Sequence, residues 1–153
     1  MVEKLGTLLG SLGGKRIAVL GVAFKPGTDD VRDSPAVTIV ERLLAEGAEV
    51  STFDPVADPD ELRHLKSADA YSAVSGAHAV VIATAWPEFA LLDPARLESA
   101  MAGYVVLDTV GVLDPSAAAA SGLEVILPGR TTPDTFHPVM VPPLEWALDA
   151  ALR

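Results

Sequence analysis

The sequence predicts an α/β fold: a doubly wound, mainly parallel sheet of about five strands with helices on both faces. Three observations point there. Short apolar runs bounded by Gly, Pro and Asp recur along the chain. Segments with helical starts fall between them. Several of the runs are apolar on consecutive residues instead of every second one, the pattern of strands covered on both faces. At 153 residues, half of them hydrophobic, the chain needs only one domain and one core.

The elements follow in order. Val2, Leu5, Leu8, Leu9 and Leu12 make an apolar stripe at helical spacing, with Gly6 and Gly10 permitting close approach to another helix. Strands are expected at Arg16 to Val22, Ala48 to Phe53, Ala79 to Thr84, Tyr104 to Asp108 and Leu123 to Leu127. The helical starts share one chemistry: Ser34-Pro35, Asp58-Pro59, Asp93-Pro94 and Asp114-Pro115. In each an oxygen-bearing side chain can cap free N–H groups, while proline at the first helical position gives up an N–H that had no partner. Gly47, Gly103 and Gly122 follow three of these helices and suit a left-handed C′ position. From Thr131 to Pro143 four prolines mark an extended, irregular connection before a final helix through Leu144, Ala147, Leu148 and Ala151.

Composition excludes several classes of function. Acidic side chains outnumber basic ones by 21 to 11, for a net charge of -10, which opposes binding to nucleic acid or an anionic membrane surface. No apolar run reaches membrane-spanning length and no signal peptide is legible, so a cytoplasmic protein is expected. Cysteine is absent, which removes disulfides, thiolate metal sites and cysteine nucleophiles. His64, His78 and His137 lack metal-ligand spacing, so no metal is expected. His78, just before a strand, reads as a hydrogen-bonded edge residue, and Trp86 and Phe89 read as packing a turn against the sheet.

The most informative stretch is Gly14 to Pro55, a βαβ unit in which a loop from Ala23 to Asp33 leads into the helix at Ser34. In an open parallel sheet such a loop lines the ligand crevice, and the helix N-terminus beside it favours anions. There Lys25 can act as a point charge against a diphosphate, with Gly27 and Thr28 supplying a permissive turn and a hydroxyl. The plainer alternative is a solvated surface lysine. Asp29 and Asp30 reduce the local positive potential, unless they pair with Arg32 or cap the loop through its backbone. An NAD site is disfavoured. Gly21-Val22-Ala23-Phe24-Lys25-Pro26 lacks the second and third glycines of G-x-G-x-x-G, and Asp54 lies too far along the chain to grip a ribose.

The string VLGVAFKPGTDDVRDSP, followed by an amphipathic helix, EGAEV and FDP, resembles the opening of the C-terminal, UDP-binding domain of the UDP-glucose and GDP-mannose dehydrogenase family. AHAVVIATAWPEF at Ala77 to Phe89 is similar to the family's strand and T-x-W-x-E-F turn, and Gly129-Arg130 to its closing I-G-R. The resemblance runs from about Leu12 to Arg130 and implies a Rossmann-like domain, residues 14–130, that binds a UDP- or GDP-linked sugar. It further implies a complete enzyme with NAD-binding and central domains, which oxidises the sugar C6 alcohol to a carboxylate in two NAD-dependent steps through an aldehyde and a cysteine thioester. Phe24 and Lys25 would touch the nucleotide sugar, with Asp30, Arg32 and Ser34 building the loop. Residues 1–13 resemble the end of a connecting helix that would also form a homodimer interface, and 131–153 form a divergent tail. Two departures stand out. VVLDTVGVLDP carries Asp108-Thr109-Val110-Gly111 where the family has D-x-R-N, so a guanidinium is missing, and Ala85 replaces a polar residue between Thr84 and Trp86. Arg130 is a candidate to replace that guanidinium, which completes a binding set of Phe24, Lys25, Thr28 and Arg130.

Without cysteine or an NAD fingerprint, the chain by itself is expected to be inactive, as a fragment or separated subunit of such a dehydrogenase. The alternative is a standalone, non-catalytic binding or assembly module that kept the fold and lost the sugar nucleotide. A phosphoacceptor receiver domain fits less well, since no acceptor aspartate is placed on a third strand.

Overall fold

A computed structural model of the chain describes residues 1–129, so Arg130 and the tail 131–153 lie outside the described residues. The five strands are β1 (Arg16–Leu20), β2 (Glu49–Phe53), β3 (Ala79–Ile82), β4 (Val105–Asp108) and β5 (Glu124–Ile126). They form one sheet in the order β2-β1-β3-β4-β5, with every neighbouring pair parallel. The doubly wound parallel sheet expected from the sequence is the one observed.

Burial explains the strand patterns. All of β3 and β4, and all of β1 after Arg16, is buried, whereas the edge strands β2 and β5 are mostly half-exposed. Central strands therefore carry unbroken apolar runs, because helices cover both of their faces, while edge strands tolerate Glu49, Ser51 and Glu124.

The helices are α1 (Val2–Leu9), α2 (Pro35–Ala45), α3 (Ala70–Val74), α4 (Pro87–Ala90), α5 (Pro94–Ala100) and α6 (Pro115–Ala120). Asp93 and Asp114 cap as their Asp-Pro pairs predict: Asp93 Oδ1 accepts from the Ala95 amide at 3.0 Å, and Asp114 Oδ1 from those of Ser116 and Ala117 at 2.8 and 3.3 Å. The other two starts differ. Asp58-Pro59 leads only into a 3-10 helix, Asp60–Leu65, and Asp58 is drawn instead into ion pairs with Lys66 and Arg63 at 3.3 and 3.5 Å. The Ser34 hydroxyl donates to the Val22 carbonyl at 2.7 Å instead of capping α2. α3 and α4 are too short for their periodicity to stand out in the sequence. Asp69 caps α3 through the Ser72 amide at 2.7 Å, a bond that holds its carboxyl below the usual carboxylate range.

Three glycines act otherwise than their positions suggest. Gly47 and Gly122 end helices in the left-handed region, but Gly103 does not adopt it. Gly103 is needed for space, since a Cβ there would lie 2.0 Å from the His78 carbonyl oxygen. Gly10, at φ 79, stops α1 and does not serve a helix crossing, and the open side of Gly6 faces Leu12. α1 nevertheless packs against α2: Val2 and Leu5 are buried in the common core, with an ion pair from Glu3 to Arg42 at 3.0 Å. Removing a side chain such as Leu5 from water stabilises the fold by about 1.5–3 kcal/mol, so α1 is anchored from one face, with Leu8 left exposed.

Candidate functional site

The chain order reverses between the neighbouring strands β1 and β3, with β2 on one side and β4 and β5 on the other. The carboxyl ends of these two strands flank the place where an open parallel sheet takes its ligands. The loop leaving β1 and the turn leaving β3 meet there. A Cβ on Gly21, at φ 88, would lie 2.5 Å from Thr84 Cβ, and the Thr84 hydroxyl donates to the Ala23 carbonyl at 2.8 Å. Both residues close the gap beneath the crevice.

The β1–α2 loop is a closed ring. The Phe24 amide donates to the Asp30 carbonyl at 2.7 Å, Gly27 turns the chain at φ 83, and the Thr28 hydroxyl accepts from the Asp30 amide at 3.1 Å. Asp33 adopts φ 55, a left-handed conformation uncommon for a residue with a Cβ. It is held between two anchored stretches. On one side the Asp30 carboxylate takes the Arg32 guanidinium at 2.8 and 3.0 Å and its amide at 2.9 Å; on the other Ser34 is tied to Val22.

Electrostatics on the loop follow from this pairing. Arg32 holds the Asp30 carboxyl down to about 2, and Asp30 in turn raises the guanidinium. One of the two acids near Lys25 is thus already neutralised. Among the described residues no carboxylate pairs with Lys25. Lys25 is exposed, as is Phe24 at 54% of its surface, and Thr28 is half-buried. The loop thus presents consecutive exposed residues, an aromatic ring and a lysine that no described carboxylate pairs, ahead of a helix whose first turn has no side-chain cap. Of the residues singled out for binding, Phe24, Lys25 and Thr28 lie on one hydrogen-bonded loop, and Arg130 falls outside the described residues.

Asp54, one residue past β2, is the feature that residue patterns did not disclose. It is buried, and five donors converge on its two oxygens. Oδ2 accepts from the amides of Val22 and Ala23 and from the Trp86 indole at 2.8, 2.9 and 3.0 Å. Oδ1 accepts from the amides of Val56 and Ala57 at 2.9 and 2.7 Å. An ionised carboxylate has room for about four acceptor directions, so no capacity remains for a ribose. Glu88 stands nearby, and its carboxyl is raised, first by partial burial and second by the charge of Asp54. An aspartate directly after an apolar strand and before proline was the available signal. Asp108, at the end of β4, is fully buried and accepts from Val110, Gly111 and Leu113. The β3 exit is Ala83-Thr84, which offers no phosphoacceptor carboxylate.

A second concavity, of about 230 Å³, opens at the amino ends of β1 and β2, lined by Arg16, Glu49, Ser51, Ser72 and Ser75. It lies a strand's length from the Lys25 loop. Arg16 and Glu49 pair across its mouth at 3.2 Å, and the Ser51 hydroxyl is bonded to the Ala73 carbonyl, so both of its charged groups are already paired with each other. Among the described residues no group of His, Asp and Glu is arranged to hold a metal ion, and no helix is long and apolar enough to cross a membrane.

Residues 18–115 match the model of the UDP-glucose/GDP-mannose dehydrogenase family, UDP binding domain. The UDP-glucose 6-dehydrogenase of Rhizobium meliloti is 38% identical over 125 residues, covering 79% of this chain and 29% of that protein. Among solved structures, a UDP-glucose dehydrogenase from Pyrobaculum islandicum aligns with a TM-score of 0.62 at 34% identity, over 82% of this chain and 27% of that one. An NDP-N-acetyl-D-galactosaminuronic acid dehydrogenase from Methanosarcina mazei aligns at 0.73 with 26% identity, over 84% and 27%. The chain thus spans under a third of the length of the relatives it matches.

Proposed function

The chain belongs to the UDP-glucose/GDP-mannose dehydrogenase family, as its Rossmann-like UDP binding domain, and from that premise we propose that the β1–α2 loop holds the nucleotide diphosphate of a nucleotide sugar. One observation carries the proposal: a braced loop presents, at the sheet's switch point, an exposed Phe24 and a Lys25 that no carboxylate of the described residues pairs. In this reading Lys25 neutralises the diphosphate, assisted by the uncapped first turn of α2. Phe24 covers an apolar face of the ligand, Thr28 donates its hydroxyl hydrogen, and Arg130 supplies a second cation where Val110 has none.

The domain's share of the work is binding and orientation. The complete enzyme we propose oxidises the sugar C6 alcohol to a carboxylate with NAD as oxidant. The residues here do not fit a dinucleotide: Phe24 and Pro26 stand where small residues are needed, and Asp54 is saturated by protein donors. With no cysteine in the sequence there is no thiol for a thioester either. Redox chemistry therefore belongs to the NAD-binding and central domains with which this one works, joined through residues 1–13, whose exposed Leu8 face also suits a second copy.

Calorimetry with UDP, GDP, UDP-glucose and GDP-mannose tests the reading. Saturable binding of at least one nucleotide sugar is expected, weakened by about tenfold or more in Lys25→Ala, and incubation with NAD should yield no NADH. Lack of saturation at millimolar ligand would leave a non-catalytic assembly role.

A further inference from the structure

We propose that Asp54 is the positioning residue of the nucleotide-sugar loop, an inference that rests on the function proposed above. Its carboxylate holds the amides of Val22 and Ala23 at 2.8 and 2.9 Å, the two residues immediately before Phe24 and Lys25. The same oxygen takes the Trp86 indole at the β3 exit, and the other takes Val56 and Ala57 at the β2 exit. One buried side chain thereby clamps three strand exits around the crevice. Asp54 is 4% exposed, and so acts on a ligand only through the loop it holds.

The consequence for binding is one of preorganisation. With Val22 and Ala23 fixed, Phe24 and Lys25 start from a defined origin, and little loop ordering remains to be done when the ligand arrives. Without the clamp that ordering falls on the binding step. Trp86 is 1% exposed and out of a ligand's reach, yet it shares Oδ2 with the loop amides. A ligand charge held by the loop is therefore felt at the indole through this shared atom, with no movement of the loop required. Trp86 and Trp146 are the two tryptophans of the chain, so Trp146→Phe leaves Trp86 as the single reporter.

The experiment titrates UDP-glucose into the full Trp146→Phe chain, reading calorimetry and tryptophan emission, and compares two further substitutions. Asp54→Asn preserves shape but turns one acceptor into a donor facing N–H groups. Leu97→Ala, in the core under α5, lowers stability without touching the three exits. Asp54→Asn, folded by circular dichroism, should weaken binding by about tenfold or more and lose the ligand-induced emission change, while Leu97→Ala keeps affinity within about twofold. Unchanged affinity in Asp54→Asn, or an equal loss in Leu97→Ala, overturns the proposal. Should Asp54→Asn not fold, Trp86→Phe removes a single donor; an affinity loss of about threefold supports the clamp and no loss overturns it. If the parent chain binds no nucleotide sugar, the proposed function fails by itself, and hydrogen exchange then decides the clamp. Faster exchange across 22–32 in Asp54→Asn but not in Leu97→Ala upholds it, and equal exchange in the two overturns it.

Discussion

Asp54 and Asp108 occupy matching places, each a buried aspartate at the carboxyl end of a parallel strand, yet they hold the molecule together in different ways. Asp108 serves its own turn: its partners Val110, Gly111 and Leu113 all lie within five residues of it. Asp54 takes two local amides and three donors from 31 or 32 residues away in sequence, on two other loops. A local carboxylate shapes one turn, and a non-local one fixes the spacing between turns. The proposed binding loop depends on the second kind.

Substitution turns that contrast into numbers. Asp54→Ala strands four buried donors and one part-buried one, and should lower unfolding free energy by about 4 kcal/mol, given roughly 1–3 kcal/mol per unsatisfied buried group with relaxation and water entry offsetting part. Asp108→Ala strands one buried and two part-buried amides and should cost about 2 kcal/mol on the same basis. Urea denaturation of the two variants measures both, and equal losses would erase the distinction drawn here. The smallest expected effect lies on the loop surface, in the Asp30–Arg32 pair. Because the Asp30 carboxyl is held down to about 2 from an ordinary 3.8, the stability it adds is present above about pH 4 and disappears as pH falls through the folded value. The difference in denaturation midpoint between the parent chain and Asp30→Asn should therefore shrink from pH 5 to pH 3; a constant difference would mean that the pair does not brace the loop.

Legibility varied in a physically sensible way. The central strands were readable because burial on both faces demands unbroken apolar runs, the edge strands because Gly, Pro and Asp bound their runs, and the Asp-Pro starts at Asp93 and Asp114 because capping is a bond between near neighbours. Ser34 looked like a cap and proved to be a brace on Val22, since its hydroxyl found a nearer acceptor across the loop. Gly103 looked like a helix terminator and proved to be a point of close approach to His78, a residue 25 positions earlier. In the candidate site, Phe24, Lys25 and Thr28 stood out through an unusual motif. Asp54, considered as a ribose ligand, showed only its place between a strand and a proline, and three of its five donors come from residues more than 30 positions away.

What the sequence determined by itself was therefore everything governed by short-range rules: the alternation of strand and helix, the parallel sheet, the missing thiol and dinucleotide fingerprint, and the loop that carries Lys25. What only the tertiary structure decided was which groups that loop leaves free. Arg32 is spent on Asp30, the amides of Val22 and Ala23 are spent on Asp54, and Lys25 keeps its charge uncompensated among the described residues. The reason is that hydrogen-bond partners are assigned by distance in space, and a residue past β2 comes within 3 Å of the end of β1 only once the two strands have paired.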